Sequence, residues 1–197
     1  MSSPPAVRQE LGSPARSWAL LAGYILLLFA SLPVVRGVVI ALRQQHLLGG
    51  AVTLLYFLAA VAVVYHVVFD VRLSDRIAYF ALVLLAAMTG ALILGLSIPE
   101  ERVHFVQYGL LAVLARRALA WHVSPPRQYL GAFVIAAMAG WADELIQGVL
   151  PDRVYDLRDV AINAVAALVA IAAEEILHNR LGWLPRQDRH EEHPSHR

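Results

Sequence analysis

The sequence predicts an all-α fold, a polytopic membrane bundle of about six transmembrane helices. Three observations lead there. The chain of 197 residues is 59% hydrophobic and only 16% charged, and its mean hydropathy is +0.60. Such a balance belongs to an integral membrane protein rather than a soluble globule. The apolar residues also gather into runs near the ~20-residue length that crosses a bilayer. Finally, the linkers between runs carry arginine, as loops between spans do.

The same composition excludes several functions. No cysteine is present, so disulfides, thiolate metal sites and cysteine nucleophiles are ruled out. All sixteen basic residues are Arg, so no lysine can act as nucleophile or Schiff base. A net charge of +1 argues against a nucleic-acid partner.

Taken in order, residues 1–17 are rich in Ser, Pro and charge and read as a disordered tail. The first apolar run covers 18–35, and Pro33 marks a kink or its end. Its length and polar flanks make it a poor signal peptide, with a cleaved one as the lesser alternative. The second run, 47–69, carries His66, and the third is 77–98. The fourth, 103–120, is the least apolar because Arg116 and Arg117 shorten it; arginines near a helix end can snorkel to the headgroups. Ser124-Pro125-Pro126-Arg127 reads as a stiff loop. The fifth run is 129–150 and the sixth 160–177, with Glu174 and Glu175 close enough to its end to reach water. Residues 179–197 read as a solvated polar tail, including His190, His193 and His196.

Arginine placement orients the stack. Assigning linkers alternately to two sides leaves only Arg36, Arg43, Arg102, Arg153 and Arg158 on one side and the other eleven opposite. The arginine-rich side should be cytoplasmic, which puts both termini inside.

The functional signal is an acid pair. Asp143 and Glu144 interrupt the fifth run. A charge in the hydrocarbon core costs at least ~2.5–3.5 kcal/mol, so such a pair must face protein or a wet cavity. Three polar faces then converge on the outer side. Glu101, His104 and Tyr108, at i, i+3, i+7, share one face at the start of the fourth helix. Asp143 and Gln147 share a face near the end of the fifth, with Glu144 alongside. Asp156, Asp159 and Asn163 repeat the i, i+3, i+7 spacing at the start of the sixth. Carboxylates, an imidazole, amides, a phenol and Arg153 suit acid–base chemistry or recognition of an anionic headgroup. Plainer readings exist for most of them. Asp156 and Asp159 also suit a helix N-terminus, Tyr108 an interfacial aromatic, Asn163 polar glue between helices, and His104 a satisfied core histidine. The acid pair has the poorest structural explanation. With no HExxH-like pair, no metal or other cofactor is expected.

In this order the motifs resemble the VanZ-like family of integral membrane proteins. The resemblance rests on His104-Phe105…Tyr108-Gly109, Asp143-Glu144…Gln147, Pro151-Asp152-Arg153 and Asp156…Asp159…Asn163. It covers residues 77–178 as a four-helix core, leaving 18–76 as two additional N-terminal helices. Glu100-Glu101-Arg102 stands where the family usually has Asp-Lys, and Pro151-Asp152-Arg153 stands for Pro-Gly-Arg. Alanines replace the glycines common after Asn163. The founding member is associated with teicoplanin resistance, and the family has been placed with membrane enzymes that cleave or exchange lipid headgroups. The resemblance therefore implies a cell-envelope protein acting on a lipid or lipid-linked headgroup in the outer leaflet. His104, Asp143 and Glu144 would be catalytic, while Gln147, Arg153, Asp159, Asn163 and Tyr108 would hold the substrate. The expected partner is a membrane lipid or lipid-linked envelope precursor. The competing expectation is a non-catalytic scaffold that binds the same molecules; a transporter fits less well, because the polar residues gather on one side. Neither substrate nor oligomeric state is legible.

Overall fold

The computed structural model describes residues 13–71, 76–150 and 155–180, and among them the chain is entirely helical. Its helices are α1 (Pro14–Gln44), α2 (Leu48–Tyr65, continued by a π-helical turn His66–Val71), α3 (Arg76–Gly95), α4 (Pro99–Leu119), α5 (Pro125–Val149) and α6 (Leu157–Arg180). The all-α fold class expected from the sequence is therefore the one observed. Five of them, all but α4, are long and apolar enough to cross a membrane.

Several boundaries correct the sequence reading. Residues 14–17 are helical, not tail: Ser13 accepts a hydrogen bond from the Arg16 backbone N–H (3.2 Å), and Pro14 fills the first turn, where its missing N–H costs nothing. Residues 1–12 lie outside the described residues. Pro33 does not end α1, which runs on through Arg36 to Gln44. Neighbouring helices in a bundle can tolerate such an interior proline. α1 stops instead at His46, whose φ of 57° is left-handed. The Leu47 N–H then bonds back to the Leu42 carbonyl (2.9 Å), closing the helix end and reversing the chain. The stiff loop expected at 124–127 is the start of α5, with Ser124 at the N-cap position and prolines in the first turn. Of the polar tail expected at 179–197, residues 179 and 180 belong to α6 and the rest lie outside the described residues, as do the tail histidines.

The position of α4 explains its composition. It is the central helix: α1, α2, α5 and α6 all pack on it, most extensively α6. A helix covered by protein can carry His104, Gln107 and Arg116 that a lipid-facing helix could not. Small residues allow the close fit. Ala112, Ala115 and Ala118 of α4, Ala132 and Ala136 of α5 and Ala166 and Ala167 of α6 are all buried. Large apolar residues such as Leu26, Leu94 and Val149 point outward instead. So much exposed apolar surface fits a multi-pass membrane protein.

At one end of the bundle the Trp18 indole donates to His122 (3.0 Å) and the Trp121 indole to Ser17 (3.1 Å), tying the start of α1 to the α4–α5 turn. Nearby, Arg116 is not snorkelling. It is buried and ion-paired with Glu174 of α6, which is itself mostly shielded from solvent rather than reaching water. At the opposite end, the first turns of α4 and α6 and the last turns of α5 meet the second half of α1. That end holds the polar residues singled out above.

Candidate functional site

The convergence expected from helical spacing is present. Glu101, His104 and Tyr108 lie buried on one face of α4. Asp143, Glu144 and Gln147 are buried in the last turns of α5, and Asn163 is fully buried in α6. Neither acid faces outward.

Named bonds connect them. The Tyr108 hydroxyl donates to Asp143 Oδ2 at 2.7 Å. Tyr108 is only 1% exposed, so it is no interfacial aromatic; its phenol orients the carboxylate. The His104 ring stacks on Tyr108, with centroids 5.9 Å apart and planes 8° from parallel. The Gln147 amide donates to Glu144 Oε1 (3.3 Å). Arg158 of α6 forms an ion pair with Glu101 (3.0 Å), clamping the starts of α4 and α6 together. Asp156 takes the plain role: its carboxylate accepts from the Arg158 backbone N–H (2.8 Å) as the α6 cap. Asn163 reaches across to the Gly140 carbonyl (3.4 Å). A Cβ on Gly140 would come within 2.7 Å of Asn163 Cβ, so only glycine lets the two backbones approach this closely.

Some polar capacity is left over. His104 Nδ1, Asp143 Oδ1 and Asn163 Oδ1 are buried and have no hydrogen-bond partner among the described residues. A buried polar atom left unmatched costs about 1–3 kcal/mol. Each such atom calls for a partner: an ordered water, an ion or a reacting group. His104 is thus not the satisfied core histidine of the plainer reading. One ligand atom each from His104, Asp143 and Glu144 lies within 4.8 Å of the others, the only such cluster among the described residues able to hold a metal ion.

A cavity of about 420 Å³ opens onto this network. His104, Asp143, Gln147, Glu101, Asp156 and Asp159 line it, so Asp156 and Asp159 belong to the site as well as to the start of α6. Arg153, expected to hold an anion, lies outside the described residues. Sequence reasoning missed the other wall. It is the second half of α1, with Leu28, Leu32, Val35, Arg36, Val39 and Arg43 facing the cavity. The stripe is legible afterwards: 28, 32, 36, 39 and 43 follow the i, i+4, i+8 repeat of one helix face. The proline at position 33 hid it, because it suggested that the helix ended there. α1 thus forms one wall of the cavity.

Comparison of the chain with models of known families, with curated proteins and with solved structures finds no match.

Proposed function

We propose that this chain is a multi-pass cell-membrane enzyme of the envelope that acts on an anionic headgroup carried by a lipid or lipid-linked precursor. The observation carrying this reading is the order of residues along the α1 wall. Leu28 and Leu32 lie deepest in the bundle, and Arg36 and Arg43 follow towards the open end. An amphiphile in a bilayer has the same order, with its chain inward and its headgroup at the surface. Guanidinium groups match phosphate or carboxylate oxygens in geometry and charge.

Arg36 and Arg43 share the cavity with the imidazole of His104 and the carboxylate of Asp143, and Glu144 is buried next to Asp143 in the chain. In this reading Arg36 and Arg43, with Arg153, hold the headgroup anion. His104, Asp143 and Glu144 supply the acid and base: one accepts the proton of an attacking water or hydroxyl, and another protonates the departing oxygen. Tyr108 and Gln147 fix the carboxylates so that little reorganisation accompanies reaction. The resemblance to VanZ-like proteins points the same way, and its association with teicoplanin resistance favours a cell-wall precursor or envelope lipid. The arginine distribution supports an outer-leaflet site with both termini cytoplasmic.

The test is mass spectrometry of lipids that co-purify with the full-length protein, before and after incubation with vesicles containing anionic phospholipid. A headgroup lost or exchanged with time supports the enzyme. A bound lipid that stays chemically unchanged over a long incubation supports a non-catalytic binding protein instead. No bound anionic amphiphile in either state rejects both.

A further inference from the structure

We propose that His104, Asp143 and Glu144 bind one divalent transition-metal ion, of the Mn²⁺ to Zn²⁺ class, at the floor of the cavity. The proposal deepens the reading above by naming a cofactor of that site: with the ion bound these side chains would act as ligands, and the ion rather than they would activate the attacking water, so only that use of the ion rests on the reading above.

Geometry is the first support. The three donor atoms lie within 4.8 Å of one another. Around an ion with bonds of ~2.0–2.2 Å, ligand atoms sit roughly 3–3.5 Å apart. Small side-chain rotations, with no helix movement, therefore bring them into place. Coordination also accounts for two atoms that are otherwise costly. His104 is 9% exposed and Asp143 5%, yet His104 Nδ1 and Asp143 Oδ1 have no hydrogen-bond partner among the described residues. A neutral imidazole protonated at Nε2 presents Nδ1 as a lone-pair donor, which is what a metal requires.

The surroundings match as well. Metal-binding carboxylates are commonly oriented by a bond to their other oxygen. Asp143 shows that division of labour: Oδ2 accepts from Tyr108, which leaves Oδ1 facing inward. The Gln147 amide donates to Oε1 of Glu144. One imidazole and two carboxylates suit Mn²⁺, Fe²⁺ or Zn²⁺ better than Mg²⁺, which favours all-oxygen shells. Three protein ligands beside an open cavity leave positions for a water or a headgroup oxygen, the arrangement of catalytic rather than structural sites. Sequence inspection offers no cue, because the ligands come from two helices and form no short motif.

The experiment uses full-length protein purified without a polyhistidine tag, carrying His190→Ala, His193→Ala and His196→Ala so that the tail cannot compete. The protein is stripped with chelator, and Zn²⁺, Mn²⁺ and Co²⁺ are titrated by calorimetry and elemental analysis. One ion per chain is expected, with a Co²⁺ visible spectrum typical of nitrogen and oxygen ligands. His104→Gln, Asp143→Asn and Glu144→Gln should each weaken binding ~10-fold or more, while His66→Gln should not. Absence of a stoichiometric ion in the tail-substituted parent overturns the proposal, whether or not the site variants fold. So does binding that survives all three substitutions. Lipid turnover measured on the same samples separates the two readings. Full turnover in ion-free protein removes the metal and leaves the enzyme. Stoichiometric binding at these residues without turnover upholds the metal site and removes the enzyme.

Discussion

At Gly140 a single methyl group decides whether two helices can meet. Its missing side chain lets Asn163 approach, and a Cβ there would lie 2.7 Å from Asn163 Cβ, an atom too close to the backbone to swing away. Gly140→Ala should therefore destabilise the protein by about 1–3 kcal/mol, the usual cost of overpacking. A lowered thermal midpoint in detergent checks it. Gly23→Ala is the control, since nothing lies near that position. Tyr108→Phe makes a finer prediction. It keeps the ring that stacks on His104 and removes the hydroxyl that holds Asp143. The variant should fold but lose function about tenfold, the scale of a lost orienting bond. Wild-type function in that variant would show that the phenol only fills space. At this scale the sequence revealed which residues share a face, because helical spacing fixes that. It could not reveal which atom pairs with which, so Tyr108 read equally well as an interfacial aromatic.

Between elements, a largely buried ion pair lies at the far end of the bundle. Arg116 of α4 and Glu174 of α6 are both largely buried, with side-chain exposures of 7% and 13%. Removing one partner takes away part of the compensation of a buried charge, so Arg116→Met or Glu174→Met should each cost up to about 3–5 kcal/mol. The double variant Arg116→Met/Glu174→Met should recover much of that loss, which thermal unfolding of the set can test. Equal, additive losses would mean that the pair is not coupled. The sequence missed this pair because each residue, met alone near a helix end, reads as solvated. It also underrated α1. There the prediction is kinetic: Arg36→Gln and Arg43→Gln should raise KM for the lipid about tenfold with little change in kcat, since they bind the anion without touching protons. A fall in kcat at unchanged KM would assign these arginines to the chemistry instead. Helix existence was legible throughout, because apolar runs of spanning length have few alternatives. Boundaries were not, since Ser13-Pro14 and Ser124-Pro125 are helix starts that resemble loop sequence.

For the whole molecule, composition and the apolar runs carried the fold class, and the bundle explains why one helix departs from it. α4 is too polar to count as a span by hydropathy, yet it is the centre on which α1, α2, α5 and α6 pack. Alternating ends give a direct topology test in this cysteine-free chain. Ser97 and Ser124 are both exposed and flank opposite ends of the bundle. An impermeant thiol reagent added to intact cells should label Ser97→Cys and reach Ser124→Cys only after lysis; the opposite pattern reverses the orientation. The central claim is that the buried acid pair is kept for chemistry on an anionic amphiphile and not for stability. Its most direct measurement is lipid headgroup turnover by Asp143→Asn and Glu144→Gln in vesicles, normalised to folded protein. Neutral amides insert into a membrane more readily than carboxylates, so both variants should fold at least as well as the parent. At least one should lose activity by ~10²–10⁴-fold. Full turnover in both, or losses that simply follow a fall in stability, would contradict the account.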